Sequence, residues 1–226
     1  MKGEKSSQGE WGEFGRPSLP RGRHRLTPAE VVENQRQRLI VALADSVAVR
    51  GYTATTVEWI INGAGVSRGT FYEHFANRGE CLAAAHKEIF ERLVACIHEA
   101  CAGEKAWVDK VAGSIGVAIE FADSFPNETR LLSLDVTATG NATCQSLAAK
   151  ERLAEMLYVV RGTPGPDVPG LPGVVEMALV GGVFSVINWL LLRGESLAGL
   201  EPQLVYLVLA PYVGSSEAVR TAQSYS

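Results

Sequence analysis

The stretch Ala64-Gly65-Val66-Ser67-Arg68-Gly69-Thr70-Phe71-Tyr72-Glu73-His74-Phe75 decides how this chain is read. Gly65 can take the positive backbone angle that ends a helix, Val66 supplies an apolar plug, and Ser67 can cap a new helix reaching to about Phe75. Just upstream a helix can start at Thr55 or Thr56, because Thr55-x-x-Glu58 has the spacing of a capping box and Val57, Ile60, Ile61 and Ala64 recur on one face. Two short helices thus meet across a turn of about three residues, which is a helix-turn-helix. The second helix of such a pair needs small or hydrogen-bonding residues where it enters a major groove about 12 Å wide, and apolar residues toward its own domain. Ser67, Arg68, Gly69 and Thr70 supply the first, and Phe71 and Phe75, four apart, supply the second.

Toward the N-terminus, Thr27-Pro28-Ala29-Glu30 joins a capping threonine, a proline at the first helical position and a glutamate three residues on. It predicts a helix to about Arg50, with Leu39, Ile40, Leu43, Ala44 and Val47 as its apolar stripe and Gly51 as its stop. Residues 1–26 are rich in Gly, Ser, Pro and charge without apolar periodicity, and are expected to form a flexible basic arm. Arg16, Arg21, Arg23 and Arg25 cluster at its end. The segment reads equally as a solvated tail or as an arm laid along phosphates or in a minor groove.

Beyond the helix pair the pattern stays helical. An amphipathic helix is expected from Arg78 to about Cys101, carrying Leu82, Ala85, Ile89, Phe90, Leu93, Val94 and Ile97. Others follow at about Lys105–Ser124, Glu128–Ala138 and Asn141–Arg161. Four prolines between Gly162 and Gly173 mark a loop, and two strongly apolar helices follow at about Val174–Arg193 and Pro202–Arg220. Nothing alternates with period two over a useful length. The expectation is an all-α chain of about nine helices: residues 1–26 an arm, 27–77 a helix-turn-helix domain, and 78–226 a larger helical domain for effector binding and dimerisation.

Composition narrows the classes further. With 46% hydrophobic and 20% charged residues among 226, the chain is globular and neither disordered nor fibrous. Its net charge of −4 conceals an asymmetry: residues 1–80 hold 11 Lys and Arg against 9 Asp and Glu, and the remainder 10 against 16. The N-terminal third is the part suited to a polyanion. Four cysteines at positions 81, 96, 101 and 144 show no Cys-x-x-Cys pair, so neither a disulfide framework nor a structural metal site is expected. No secretory signal pattern is read, and the apolar run Met177–Leu192 falls short of the ~20 residues a bilayer core needs. A cytoplasmic protein without a membrane span is expected.

The stretch from Gly51-Tyr52 through the threonine-led helix, Ala64-Gly65-Val66-Ser67 and Phe71-Tyr72-Glu73-His74-Phe75 resembles the TetR family of transcriptional regulators, in register over about residues 30–82. The resemblance implies a homodimer that binds double-stranded operator DNA, with phosphate or base contacts from Thr56, Ser67, Arg68, Thr70, Tyr72 and His74 and a contact near Arg78; from the residues themselves, Gly69 offers close backbone approach, and Arg23 and Arg25 of the arm are candidate contacts. Arg68 is the candidate base reader, since a guanidinium can bond two acceptors on a guanine edge. Three residues depart from the family's pattern: Ile61 stands for a small alanine, Trp59 is large for an exposed face, and Arg78 stands for a lysine.

Dimerisation through the two C-terminal helices fits Ala178-x-x-x-Gly182 and Gly181-x-x-x-Ser185, which permit close helix contact, together with Val183, Val186, Trp189, Leu190, Leu204, Leu207, Val208 and Tyr212. The resemblance also implies a small-molecule effector, expected to be largely apolar and to relieve repression. Its candidate contacts are Trp107, Phe121, Leu131, Leu134, Asp135, Met156, Asn188 and Trp189. Asn188 can bond across the dimer or to ligand, and Glu120 and Asp135 sit among apolar neighbours. No cofactor is implied. An enzyme is not expected, because no nucleophile elbow, phosphate-binding glycine loop or His-Glu-x-x-His helix occurs. The alternative is a thiol- or metal-responsive DNA-binding regulator using Cys96, His98 and Cys101.

Overall fold

The computed structural model describes residues 27–102, 106–133, 140–161 and 173–225. Expectations that fall on the N-terminal arm with Arg23 and Arg25, on Leu134 and Asp135, and on the proline-rich segment lie outside the described residues. The described residues form ten helices and no strand: α1 Pro28–Ala54, α2 Val57–Ala64, α3 Arg68–His74, α4 Arg78–Ala100, α5 Trp107–Ser124, α6 Pro126–Leu132, α7 Gly140–Arg161, α8 Gly173–Arg193, α9 Glu201–Val213 and α10 Ser215–Gln223. The chain divides into two compact units between Cys81 and Leu82.

Local chemistry explains most boundaries. Thr27 and Glu30 close the capping box at the start of α1, with the Thr27 amide donating to Glu30 Oε2 at 2.6 Å and the Glu30 amide to Thr27 Oγ1 at 3.3 Å. At Gly51 the backbone leaves helical angles (φ 73°, ψ 160°), and the last turn of α1 resumes beyond it. Between the two candidate threonines, the structure selects Thr56: its hydroxyl accepts from the Trp59 amide. Thr55 instead ends α1 and is fully buried, its hydroxyl donating to the Gly51 carbonyl at 2.9 Å. The Thr55–Glu58 capping box therefore does not form, because Thr55 is committed to the preceding helix.

The tenth helix arises from Gly214. The span read as one helix from Pro202 to Arg220 breaks there, at φ 80°, into α9 and α10. Similarly, α6 begins at Pro126, whose fixed φ suits a first helical position, and α6 ends at Leu132.

In the first unit Leu39, Ile40, Leu43, Ala44 and Val47 of α1 are buried with Ile60 and Ala64 of α2 and Phe71 and Phe75 around α3. Gly63 sets the α1–α2 crossing: a Cβ placed there would lie 3.2 Å from the Ala42 Cβ. Ile61 is half-buried.

The second unit centres on Val111, Ile115, Ile187, Leu200, Leu204, Val205, Val208 and Leu209, where α5 and α10 pack on α9, and α7 on α8. At about 25 cal/mol per Å² of apolar surface, each such side chain contributes roughly 1.5–3 kcal/mol. The interior also holds polar groups. Glu128 accepts from Arg92 Nη1 at 3.3 Å, and that guanidinium lies 4.6 Å from the Phe125 ring centre. His86 on α4 is 2% exposed, and among the described residues neither ring nitrogen has a hydrogen-bond partner. Burial first, and the positive charge of Lys150 second, lower its pKa from 6.5 to about 4.

Candidate nucleic-acid interface and effector cavity

The α3 segment separates its residues by face. Phe71 and Phe75 are inside, their ring centres 5.8 Å apart, while Ser67, Arg68, Gly69, Tyr72 and Glu73 are exposed and Thr70 and His74 are half-buried. Ser67 starts the helix by accepting from the Thr70 amide at 3.0 Å, and its hydroxyl lies 2.9 Å from the Thr70 hydroxyl. The two side chains thus fix each other at the leading end while remaining accessible. A hydroxyl holds two lone pairs and a rotatable proton, so neither contact exhausts it.

One turn along, the Arg68 guanidinium stands 6.0 Å from the Tyr72 ring centre, and Tyr72 is 48% exposed. That spacing places a forked donor beside an amphipathic ring on the open face of the helix. A Cβ added at Gly69 would meet only Ser67 Oγ, at an ordinary 3.5 Å. Packing within the chain therefore does not require glycine there, and the backbone lies open to a close-approaching surface. Thr56, capping α2, is exposed as well.

Arg78 has a different setting. Its Nη1 donates to the carbonyls of Tyr52 at 3.0 Å and of Thr55, and its guanidinium lies 4.2 Å from the Tyr52 ring centre. It closes the C-terminus of α1, whose last carbonyls have no helical partners. Arg38 does the same for α2, donating to the carbonyls of Ala64 and Gly65, the latter at 3.1 Å. Sequence reading missed Arg38, because nothing in a helix-face pattern marks a cation 26 residues from the carbonyl it caps. It also noted Trp59 without its partner: Arg50 stacks on the indole at 3.6 Å, and Trp59 is 45% exposed.

The second unit contains a cavity of about 410 Å³. Its walls are Leu93 and Ile97 of α4, Ile115 and Ala118 of α5, Met156 and Leu157 of α7, and Val183 and Phe184 of α8, with His98, Cys101, Ser114, Arg152 and Glu155 as the polar liners. Among the expected effector residues Met156 lines this cavity. Trp107 instead packs edge-on against Tyr212 at 6.0 Å, Phe121 and Leu131 are interior at 1% exposure, Asn188 is half-buried away from the wall, and Trp189 is 55% exposed. Helical apolar spacing marks buried faces and cannot separate a wall from solid core. Glu120 is exposed.

Cys96 is buried, and burial raises its thiol pKa, opposing thiolate chemistry. His98 and Cys101 reach the cavity, but among the described residues no three His, Cys, Asp or Glu side chains are grouped to hold a metal ion.

The α8–α9 surface leaves apolar groups uncovered. Val174, Trp189 and Leu192 of α8 are 75%, 55% and 60% exposed, and Tyr206 and Leu207 of α9 are 38% and 39% exposed. Leu204, Val208 and Tyr212, expected at a dimer interface, are instead buried in the chain's own core at 2%, 4% and 7% exposure, because the inner face of α9 packs on α5. By length and composition α8 is also long and apolar enough to cross a membrane, with a mean hydropathy of 1.9.

Residues 39–85 match the family described as bacterial regulatory proteins, tetR family. The whole fold is similar to the fatty acid degradation regulator FadR from Bacillus halodurans, at a TM-score of 0.68 and 18% identity over 78% of this chain and 97% of that one. It is similar too to a TetR-like transcriptional regulator from Rhodococcus sp. RHA1 (TM-score 0.67, 19% identity, 84% and 100% covered). A third similar structure is a gamma-butyrolactone receptor described as ArpA-like (TM-score 0.55, 16% identity, 86% and 96% covered).

Proposed function

We propose that the chain, whose residues 39–85 match the tetR family of bacterial regulatory proteins, acts as a homodimeric transcriptional repressor that releases its operator when a small, largely apolar effector fills the cavity of the second unit. The observation that carries the reading is the split of α3: two phenylalanines inside, and Ser67, Arg68, Gly69 and Tyr72 outside on one short helix. In this reading α3 enters the major groove. Arg68 reads a base edge, while Thr56, Ser67, Thr70, Tyr72 and His74 meet phosphates or sugars and set the register. Arg78 contributes by holding the end of α1 in place. Arg23 and Arg25 extend the contact along the DNA from the arm.

A second copy covers the exposed apolar side chains of α8 and α9, which suits a two-fold pair presenting two recognition helices one turn of DNA apart, about 34–36 Å. Helix α4 begins at Arg78, in the first unit, and supplies Leu93 and Ile97 to the cavity, so a ligand there touches the element that enters the DNA-binding unit. For this to matter the ligand must bind the operator-competent and released states with different affinity. Names of two structural relatives, a fatty acid degradation regulator and a gamma-butyrolactone receptor, support small apolar effectors as a class.

The test is a gel-shift titration on duplexes from the DNA flanking the protein's own gene. Nanomolar, salt-sensitive binding is expected, with Arg68→Ala weakening it by about 1–3 kcal/mol and relaxing one base position. Wild-type binding that is indifferent to sequence, or an Arg68→Ala protein with unaltered affinity, refutes the assignment of α3.

A further inference from the structure

Resting on the reading of the cavity as an effector site, we propose that its ligand is an uncharged amphiphile: an apolar body with a hydroxyl or N–H donor at one end, bound to the Ser114 oxygen, and not a carboxylate or other anion.

The cavity's own hydrogen bonds lead to this. Ser114 Oγ donates its proton to the Lys110 carbonyl at 2.7 Å, and Cys101 Sγ lies 3.2 Å from Ser114 Oγ and 3.4 Å from the same carbonyl. With its proton spent, the Ser114 hydroxyl faces the cavity as an acceptor. A ligand O–H or N–H satisfies it. A carboxylate presents lone pairs to lone pairs.

The charged liners do not favour an anion either. Arg152 is the cationic guanidinium among them, and its Nη1 is paired with Glu91 Oε1 at 2.6 Å. Glu155, on the same helix as Arg152, also lines the cavity, while Glu91 pairs with Arg152 from outside the lining, so the one guanidinium of this edge already has a carboxylate partner and a second carboxylate beside it. An anionic ligand would have to share Arg152 with Glu91 and stand near Glu155. Besides His98, Cys101 and Ser114, the rest of the wall among the described residues is aliphatic or aromatic, including Leu93, Ile97, Ile115, Val183 and Phe184, and offers a desolvated charge no partner. At about 30 Å³ per water-sized group, a volume of 410 Å³ admits roughly a dozen non-hydrogen atoms.

Three ten-carbon probes separate the possibilities by calorimetry on the full-length protein: 1-decanol, methyl decanoate and decanoate. Decanol should bind tightest. Methyl decanoate, which has acceptors only, should bind several-fold more weakly. Decanoate should enter only as the neutral acid. With a carboxyl pKa near 4.5 it should therefore bind about 500- to 1,000-fold more weakly than decanol at pH 7.5, gaining tenfold for each unit the pH is lowered toward 5.5. Ser114→Ala should erase the advantage of decanol over the methyl ester and leave the ester unchanged. Ala118→Trp, which fills the cavity, should abolish binding of all three, and its helical circular dichroism at 222 nm verifies that it folds.

Decanoate binding as tightly as decanol without pH dependence would overturn the uncharged-ligand assignment while leaving the cavity's role standing. If decanol binds equally well to wild type and to a folded Ala118→Trp protein, or to neither, the cavity is not the ligand site, and the reading of the effector site fails with this proposal.

Discussion

Acidification should destabilise this protein through one imidazole. His86 is 2% exposed, neither ring nitrogen has a partner among the described residues, and its folded-state pKa is lowered from 6.5 to about 4. The unfolded chain therefore takes up a proton in a range where the folded chain does not. The sign follows: at pH 7.5 both states hold a neutral ring and no penalty exists, stability falls as pH drops below about 6.5, and the loss levels off below about 4. At 1.36 kcal/mol per pKa unit, the full loss is about 3 kcal/mol, of which about 2 kcal/mol has appeared by pH 5. Carboxylates titrate in the same range, so the informative quantity is a difference. Urea unfolding followed by circular dichroism at pH 7.5 and pH 5, on wild type and His86→Leu, isolates the contribution. The gap between the two proteins should widen by about 2 kcal/mol in favour of His86→Leu as pH falls. A gap that stays constant within about 0.5 kcal/mol would mean that His86 charges in the folded state as readily as in the unfolded one, and the burial argument would be refuted.

Three further outcomes follow from the geometry. Gly65→Ala imposes a side chain at φ 62° and places a Cβ 2.8 Å from Arg38 Nη2, so it should cost about 1–2 kcal/mol and lower the thermal midpoint by several degrees, whereas a neutral effect would show that this turn is not held by Arg38. Arg78→Lys keeps the charge but cannot bridge the Tyr52 and Thr55 carbonyls as a fork does; a loss of about 1 kcal/mol in unfolding free energy is expected, and none would mean the contacts are ornamental. Trp189→Glu with Leu192→Glu places two charges on the bare face of α8, and sedimentation velocity should show a monomer at concentrations where wild type is a dimer; an unchanged dimer would locate the interface elsewhere.

Much of the helical architecture was readable because its determinants are local. The Thr27–Glu30 box, the glycine at position 65, the Ser67 cap and the buried i, i+3, i+4 faces of α1 and α4 are short-range patterns, and each lies where its spacing placed it. The outer face of α3 was legible for the same reason. What escaped were matters settled by distant partners. Thr55 and Thr56 are chemically alike, and only the demand of the Gly51 carbonyl assigns one to α1. Arg78 reads as a surface cation until the carbonyls of Tyr52 and Thr55 are seen around it. The cavity was least legible of all, because Ile115 in a wall and Leu209 in solid core obey the same periodicity, and only the absence of a neighbour on one side distinguishes them.

The tryptophans give the molecule a set of built-in optical probes. Trp59 lies under the Arg50 guanidinium in the DNA-binding unit, Trp107 abuts the Tyr212 ring in the body, and Trp189 stands on the uncovered face of α8. With Trp11 replaced by phenylalanine, three single-indole variants would each emit from a different working part of the protein. Quenching at Trp59 would register duplex capture, and a blue shift at Trp189 would register arrival of the second copy. The order in which the unlabelled protein assembles on DNA could then be read by stopped-flow mixing alone.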